Sequence, residues 1–155
     1  MIKYLSVFGM AMLPIIELRG AIPFGLYALG LDIVPVMILS ILGNILPVPF
    51  LILFGGKVLR YFASFVTFGK PFRKILEIGE KKVGKMKKTI FWGLLTFVAI
   101  PLPGTGAWTG CLAAITLGLD MKKSFLPIVL GVFGAGAIIM TLFYLAPEAF
   151  LAIVS

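Results

Sequence analysis

Long apolar runs dominate the chain, and two of them are long enough to cross a membrane as helices. Residues 33–55 and 124–146 each comprise 23 residues without a charged side chain. As a helix each run is about 34 Å long, against roughly 30 Å of hydrocarbon in a bilayer. Pro47 and Pro49 in the first run predict a kink that frees backbone carbonyls. The pattern therefore predicts two transmembrane helices, the first of them kinked.

Before each long run stand two shorter apolar runs separated by a break. The first pair is 4–16 and 22–29 around residues 17–20, and the second is 89–100 and 107–118 around a segment rich in Pro and Gly. Irregular backbone in hydrocarbon costs several kcal/mol per unsatisfied group, so it occurs where protein or a cavity surrounds it. Each pair predicts a re-entrant hairpin with its break at the tip. One broken span remains an alternative for the second pair, although Lys122 and Lys123 favour the hairpin by the positive-inside rule.

The two halves of the chain share both this order and several residues. Leu-Gly-Leu-Asp at 29–32 recurs at 117–120, and Gly43 corresponds to Gly131 at the same offset. If the hairpins enter from opposite sides, the repeats are inverted, as in many secondary transporters. We therefore predict an all-α integral membrane protein with one domain, made of repeat 1 (residues 1–55), a connector (56–88) and repeat 2 (89–155).

The positive charge of the chain lies in the connector. The net charge is +8, and residues 57–88 hold ten Lys or Arg and two Glu. Such a segment is expected on the cytoplasmic side. Apolar residues at helical spacing over 72–86 predict an amphipathic helix on the surface of an anionic leaflet. Membrane lipids, rather than nucleic acid, are the partner that this charge predicts.

Composition agrees with a membrane protein and argues against an enzyme. The chain is 61% hydrophobic and 13% charged, with a mean hydropathy of +1.14. Histidine is absent, and the single cysteine, Cys111, is expected to be a small packing residue. We predict no catalytic activity, no cofactor and no metal site, because hydrolytic and metal-ligating patterns are missing. A chain this short predicts a homodimer or a higher homo-oligomer around any pathway.

Three polar residues of the first half are candidate binding residues. Glu17 and Arg19 lie in the first break, and ionisable groups within a membrane usually mark a partner, an ion path or a substrate. Burial would favour the protonated form of Glu17 and allow it to carry a proton. Arg19 offers a forked donor set suited to carboxylate or phosphate. The alternative is that the two residues pair structurally or lie at a shallow tip. Asn44 either satisfies freed backbone or lines the path.

The second break offers backbone and hydroxyl donors. Gly104, Thr105 and Gly106 supply N–H groups, and Thr105 adds its hydroxyl. At the start of a helix near Ala107, these groups and the helix dipole predict an anion site. Trp108 either stacks on an organic substrate or packs between helices.

Two motifs resemble a known family. The segments E-L-R-G-A-I-P at residues 17–23 and P-L-P-G-T-G-A-W-T-G at 101–110 resemble the small multidrug export protein family of prokaryotic membranes, and the resemblance covers essentially the whole chain. More distantly the chain is similar to the DedA superfamily of inverted-repeat proteins. That likeness implies translocation of phosphate-bearing lipids, with Glu17 and Arg19 in the acidic and basic roles. The second hairpin departs from the pattern, with Thr105 where an arginine is expected.

These observations predict a small multi-pass transporter of a prokaryotic inner membrane. Its expected substrate is amphipathic or anionic, such as a phosphate-bearing lipid carrier, and protons could drive it. One alternative is a proton-coupled exporter of lipophilic drugs. Another is a non-transporting membrane scaffold in which the hairpins serve only to pack a dimer.

Overall fold

The computed structural model describes residues 1–64, 87–102, 104–119 and 121–145, and all regular structure in these ranges is helical. The all-α prediction is therefore confirmed. The amphipathic helix predicted over 72–86 lies outside the described residues. The α-helices of the described ranges are α1 (Ile2–Ala11), α2 (Glu17–Pro23), α3 (Ile33–Ile45), α4 (Pro47–Ser64), α5 (Lys87–Ala99), α6 (Ala107–Thr116) and α7 (Met121–Leu145). A π-helical turn, Phe24–Ala28, continues α2.

Two helical segments have the length and hydropathy of membrane spans. They are Ile33–Val58, which comprises α3 and the start of α4, and Met121–Leu145, each with a mean hydropathy of 2.3. Both predicted long apolar helices are thus confirmed. The first is interrupted at Leu46, directly before Pro47, because a proline provides no N–H to the preceding turn. Large apolar side chains such as Phe50 and Phe133 stay exposed on these helices, as expected for surfaces in contact with lipid.

The first hairpin consists of α1 and α2 with its π-helical turn. The Lys3 amine donates to the Leu29 carbonyl at 3.4 Å, which brings the two ends of the hairpin together. The predicted break at residues 17–20 is wrong in position, because these residues are helical. The irregular segment is 12–16, since Pro14 interrupts the helix.

The second hairpin consists of α5 and α6. Val98 packs against Gly110 near the tip, and Ile90 and Leu117 line one cleft near the open end. The two arms are therefore antiparallel. The predicted break is confirmed, and it includes Gly104 and Gly106 at φ of 83° and 138°, where side chains are disfavoured.

Within each half, the first hairpin arm packs on the long helix that follows it. Helix α1 brings its Phe8 carbonyl against Gly43 of α3. Helix α5 brings Val98 and the Leu95 carbonyl against Gly131 of α7, where an added Cβ would lie 2.6 Å and 2.9 Å from them. The glycines therefore permit backbone approaches that alanine would obstruct.

Candidate functional site

The tips of the two hairpins meet through hydrogen bonds made by Trp108. Its backbone N–H donates to Oε1 of Glu17 at 3.0 Å, and its indole N–H donates to the Met12 carbonyl at 3.1 Å. We call this pair of bonds the tip contact. It joins residues more than 90 positions apart in sequence and connects the two halves of the chain.

Glu17 is positioned by an unusual backbone. It begins α2 at φ 51°, in the left-handed region that costs a residue with a side chain about 1–2 kcal/mol. Its side chain is 8% exposed. The carboxylate reaches Trp108 of the second hairpin, and this bond helps to offset the strain of the helix start.

The Glu17 carboxylate caps the N-terminus of α6. Gly106 is the N-cap residue of that helix and has no side chain to bond its free N–H groups. Glu17 supplies the missing acceptor, and its charge complements the positive end of the helix dipole. The predicted anion site at this helix end is thus filled by the chain's own carboxylate.

Gly106 allows the carboxylate to come this close. A Cβ at position 106 would overlap Oε2 of Glu17, and the positive φ of Gly106 independently disfavours any side chain. Gly106 is therefore required both for its conformation and for the space that Glu17 occupies.

Thr105 forms its hydrogen bonds within its own loop. Its hydroxyl is within hydrogen-bond distance of the Ile100 and Leu102 carbonyls, and it accepts the Leu102 N–H at 3.1 Å. The Thr105 N–H also donates to the Leu102 carbonyl at 3.1 Å. These bonds favour a structural role for Thr105. Gly104 lies exposed at the same tip.

Trp108 is likewise fixed by its partners. The bond from its indole to Met12 holds the ring against the first hairpin. This geometry favours packing at the tip contact over stacking on a substrate.

Arg19 is the charged residue next to the tip contact. No salt bridge within 4.0 Å joins it to Glu17 among the described residues, but the charge of Arg19 still stabilises the ionised Glu17 carboxylate through space. Its Nη1 atom is buried and has no hydrogen-bond partner there. Arg19 lines a narrow cavity of about 10 Å³ together with Glu17, Thr105, Ala135 and Ile139. An unpartnered guanidinium donor at a cavity is suited to an anionic group.

Asn44 lies on α3, and the structure adds Ser40 one turn before it. Both side chains are 0% exposed, and the amide atoms of Asn44 and the hydroxyl of Ser40 have no partner among the described residues. The predicted role of Asn44 in satisfying freed backbone is therefore not observed. Ser40 is not among the site residues predicted from the sequence, although its spacing of four residues from Asn44 on an apolar helix is a signal for it.

The structure thus brings Glu17, Gly106 and Trp108 together, with Arg19 at the adjoining cavity. Cys111 is buried, as expected of a packing residue. Within the described ranges, no group of three or more metal-ligating side chains converges.

Comparison with known proteins identifies one family. The family model described as "Putative small multi-drug export protein" matches residues 17–138, which is most of the chain and includes Glu17 and the tip of the second hairpin. Searches of curated proteins and of solved structures give no match.

Proposed function

Because the chain belongs to the small multi-drug export protein family, we propose that it is a transporter in which protonation of Glu17 controls the tip contact. The family and the two long apolar helices place the protein in a membrane. The proposed substrate is amphipathic or anionic, and a phosphate-bearing lipid carrier is the specific candidate. The observation that carries the proposal is the bond from the Trp108 N–H to Glu17, which joins the two hairpins.

The tip contact is suited to respond to a proton. A charge-assisted hydrogen bond contributes about 1.5–3 kcal/mol, and a carboxylate at a helix N-terminus adds about 0.3–2 kcal/mol. Protonation of Glu17 removes the charge but leaves a neutral acceptor, whose bond still contributes about 0.5–1.5 kcal/mol, so the tip contact weakens by about 1–3 kcal/mol. A change of about 1.4 kcal/mol shifts a two-state equilibrium tenfold. If protonation releases the tips from each other, the cavity beside Arg19 would open first to one side of the membrane and then to the other.

The packing of the two halves supports the internal repeat. In both halves a glycine at the equivalent position, Gly43 or Gly131, receives the first arm of the preceding hairpin. We propose that the two hairpins are re-entrant from opposite sides of a prokaryotic inner membrane. The connector 56–88 is then cytoplasmic, and two or more copies of the chain assemble in contact with membrane lipids.

The preference for an anion rests on Arg19. Its buried Nη1 atom lacks a partner, whereas the Glu17 carboxylate already accepts a hydrogen bond. Binding an anion would satisfy the guanidinium, while binding a cation beside it would meet repulsion. The substrate would therefore place its charged end near Arg19 and its apolar part among the helices.

A second candidate is proton-coupled export of lipophilic cations, which is closer to the family description. The buried carboxylate of Glu17 favours it, because an exporter could exchange a proton on that group for a cation. This candidate requires Glu17 to leave Trp108 when the cation binds.

Reconstitution in liposomes tests both candidates. The probes are a fluorescent phosphatidic acid, whose exchange between leaflets is followed by dithionite quenching, and ethidium, each with an imposed pH gradient. We expect the protein to accelerate exchange of phosphatidic acid, and the gradient to increase this rate. Movement of ethidium alone would establish the second candidate. No movement of either probe would overturn transport and leave the scaffold hypothesis.

Glu17→Gln and Asp32→Asn are the matched variants. Glutamine keeps an acceptor for the Trp108 N–H but cannot titrate, so we expect loss of the response to pH with folded protein retained. Asp32 is an exposed acid without a side-chain capping bond, and its substitution should leave the response unchanged. An unchanged pH response in Glu17→Gln would overturn the role of Glu17.

A further inference from the structure

Three polar side chains in the described part of the chain contain buried atoms without a hydrogen-bond partner. They are Arg19, through Nη1, Ser40, through its hydroxyl, and Asn44, through both amide atoms. Ser40 and Asn44 are 0% exposed. Buried polar groups are nearly always satisfied, so a group of unsatisfied ones requires an explanation.

The phase of α3 places Ser40 and Asn44 on one strip, between the faces of the helix that meet α1 and α7. Gly43 faces α1, through the Phe8 carbonyl, whereas Met37 and Ile41 face Gly136 of α7. At 3.6 residues per turn, Ser40 and Asn44 lie between these two directions, on the same strip of the helix.

Helix α2 is the neighbour of α3 that carries the remaining unpartnered atom, Nη1 of Arg19. It packs against both α1 and α3, and its Arg19 lines a cavity with Ala135 and Ile139 of α7. The unpartnered atoms thus lie on α2 and α3, which pack together, and we call the place where these two helices adjoin α7 the junction.

We propose that this junction binds an oxyanion through Arg19, Ser40 and Asn44. The inference rests on the proposed function and assigns the site to the charged group of the substrate. Arg19 supplies the positive charge, and the amide N–H of Asn44 and the Ser40 hydroxyl supply neutral donors. The amide oxygen of Asn44 needs a donor in return. A protonated phosphate oxygen or a headgroup hydroxyl provides one, whereas chloride does not.

A structural role of the same residues makes a different prediction about stability. If Asn44 and Ser40 held the fold together, their removal would destabilise the protein. If they serve a ligand, the unliganded protein keeps them at a cost in stability, and apolar replacements of similar shape should raise its melting temperature.

Equilibrium binding to the purified full-length protein in detergent tests the proposal independently of transport. The ligands are inorganic phosphate, dioctanoyl phosphatidic acid and dioctanoyl phosphatidylcholine, with chloride as a control, and the readout is the ligand-dependent shift in melting temperature. A shift with phosphate and with phosphatidic acid indicates a site for the free oxyanion. A shift with phosphatidic acid alone indicates a lipid headgroup site. Both outcomes support the proposal. An equal shift with phosphatidylcholine, or no shift with any ligand, would overturn it, whatever the transport assay shows.

Variants separate ligand binding from folding. We expect Asn44→Leu and Ser40→Ala to raise the melting temperature without ligand and to weaken binding about 10- to 100-fold. Arg19→Lys keeps the charge but loses the forked guanidinium donors, so this variant should also bind the oxyanion more weakly. Ser6→Ala is the matched control, because Ser6 is exposed and bonds only to its own helix turn. A lower melting temperature in both Asn44→Leu and Ser40→Ala, with unchanged binding, would contradict the proposal.

Discussion

The carboxylate of Glu17 accepts the backbone N–H of Trp108 at 3.0 Å, across 91 positions of sequence. A residue of the first hairpin thereby caps the first helix turn of the second hairpin's outgoing arm. Each hairpin supplies a hydrogen-bonding partner for a group that the other hairpin leaves unsatisfied. Glu17 gains a partner for a buried charge, and α6 gains the cap that Gly106 cannot provide.

Alanine substitution at three glycines of the second hairpin should change the free energy of unfolding by different amounts. Gly93 has no atom within 4 Å of an added Cβ and lies inside α5, so Gly93→Ala should be neutral or slightly stabilising. Gly104 also has space, but its φ of 83° predicts a cost of about 1–2 kcal/mol. Gly106→Ala should cost more than either, because its Cβ also overlaps the Glu17 carboxylate. Reversible unfolding in detergent measures the order.

The same unfolding measurement can separate the steric overlap with Glu17 from the cost of the backbone conformation at Gly106. In a Glu17→Ala background, Gly106→Ala should destabilise less than in the wild type, with a coupling free energy of about 0.5–3 kcal/mol. Additive effects of the two substitutions would show that Gly106 is required only for its backbone conformation.

Trp108→Phe should weaken the tip contact. The substitution removes the indole N–H that bonds the Met12 carbonyl, and one such bond contributes about 0.5–1.5 kcal/mol. Thermal unfolding followed by circular dichroism should show a corresponding loss of stability. Trp92→Phe is the matched control, because Trp92 is 62% exposed on α5. Equal effects of the two substitutions would argue against the bond to Met12.

Gly43→Ala and Gly131→Ala should both destabilise the protein. Each Cβ would press on the helix arm packed there, and overpacking of this kind costs about 1–3 kcal/mol. Gly9→Ala, where nothing lies within 4 Å, should be neutral or stabilising. If only one of the two helix-packing glycines proves sensitive, the structural equivalence of the two halves loses support. Unfolding in detergent provides the comparison.

Cysteine labelling should define the topology of the hairpins. Single cysteines replace Lys3, Lys57 and Lys122 in a Cys111→Ser background, and intact cells are treated with an impermeant maleimide. Lys57 and Lys122 are exposed at ends of the long helices, and we expect both positions to be protected while position 3 is labelled. Labelling at 122 together with protection at 57 would show that the second pair of helices crosses the membrane.

Some features of the fold could be predicted from local patterns in the sequence. The two long apolar helices follow from runs without charge, and the break before Pro47 follows from the missing N–H of proline. The charged residues predict the first break at residues 17–20, whereas the irregular backbone lies at 12–16. Glu17 and Arg19 lie instead in α2, since charged residues are tolerated in a helix when other elements surround them.

For the candidate site too, the sequence predicts some features and leaves others to the tertiary structure. Sequence by itself determined which residues can carry charge and where the backbone must break, because these depend on side-chain chemistry and on proline and glycine geometry. Only the tertiary structure decided that Glu17 caps the other hairpin, that Thr105 bonds its own loop and that Ser40 joins Asn44 in a buried strip. Partners distant in sequence depend on how the helices pack, and an apolar pattern leaves that packing open because every lipid-facing and buried position is similarly hydrophobic.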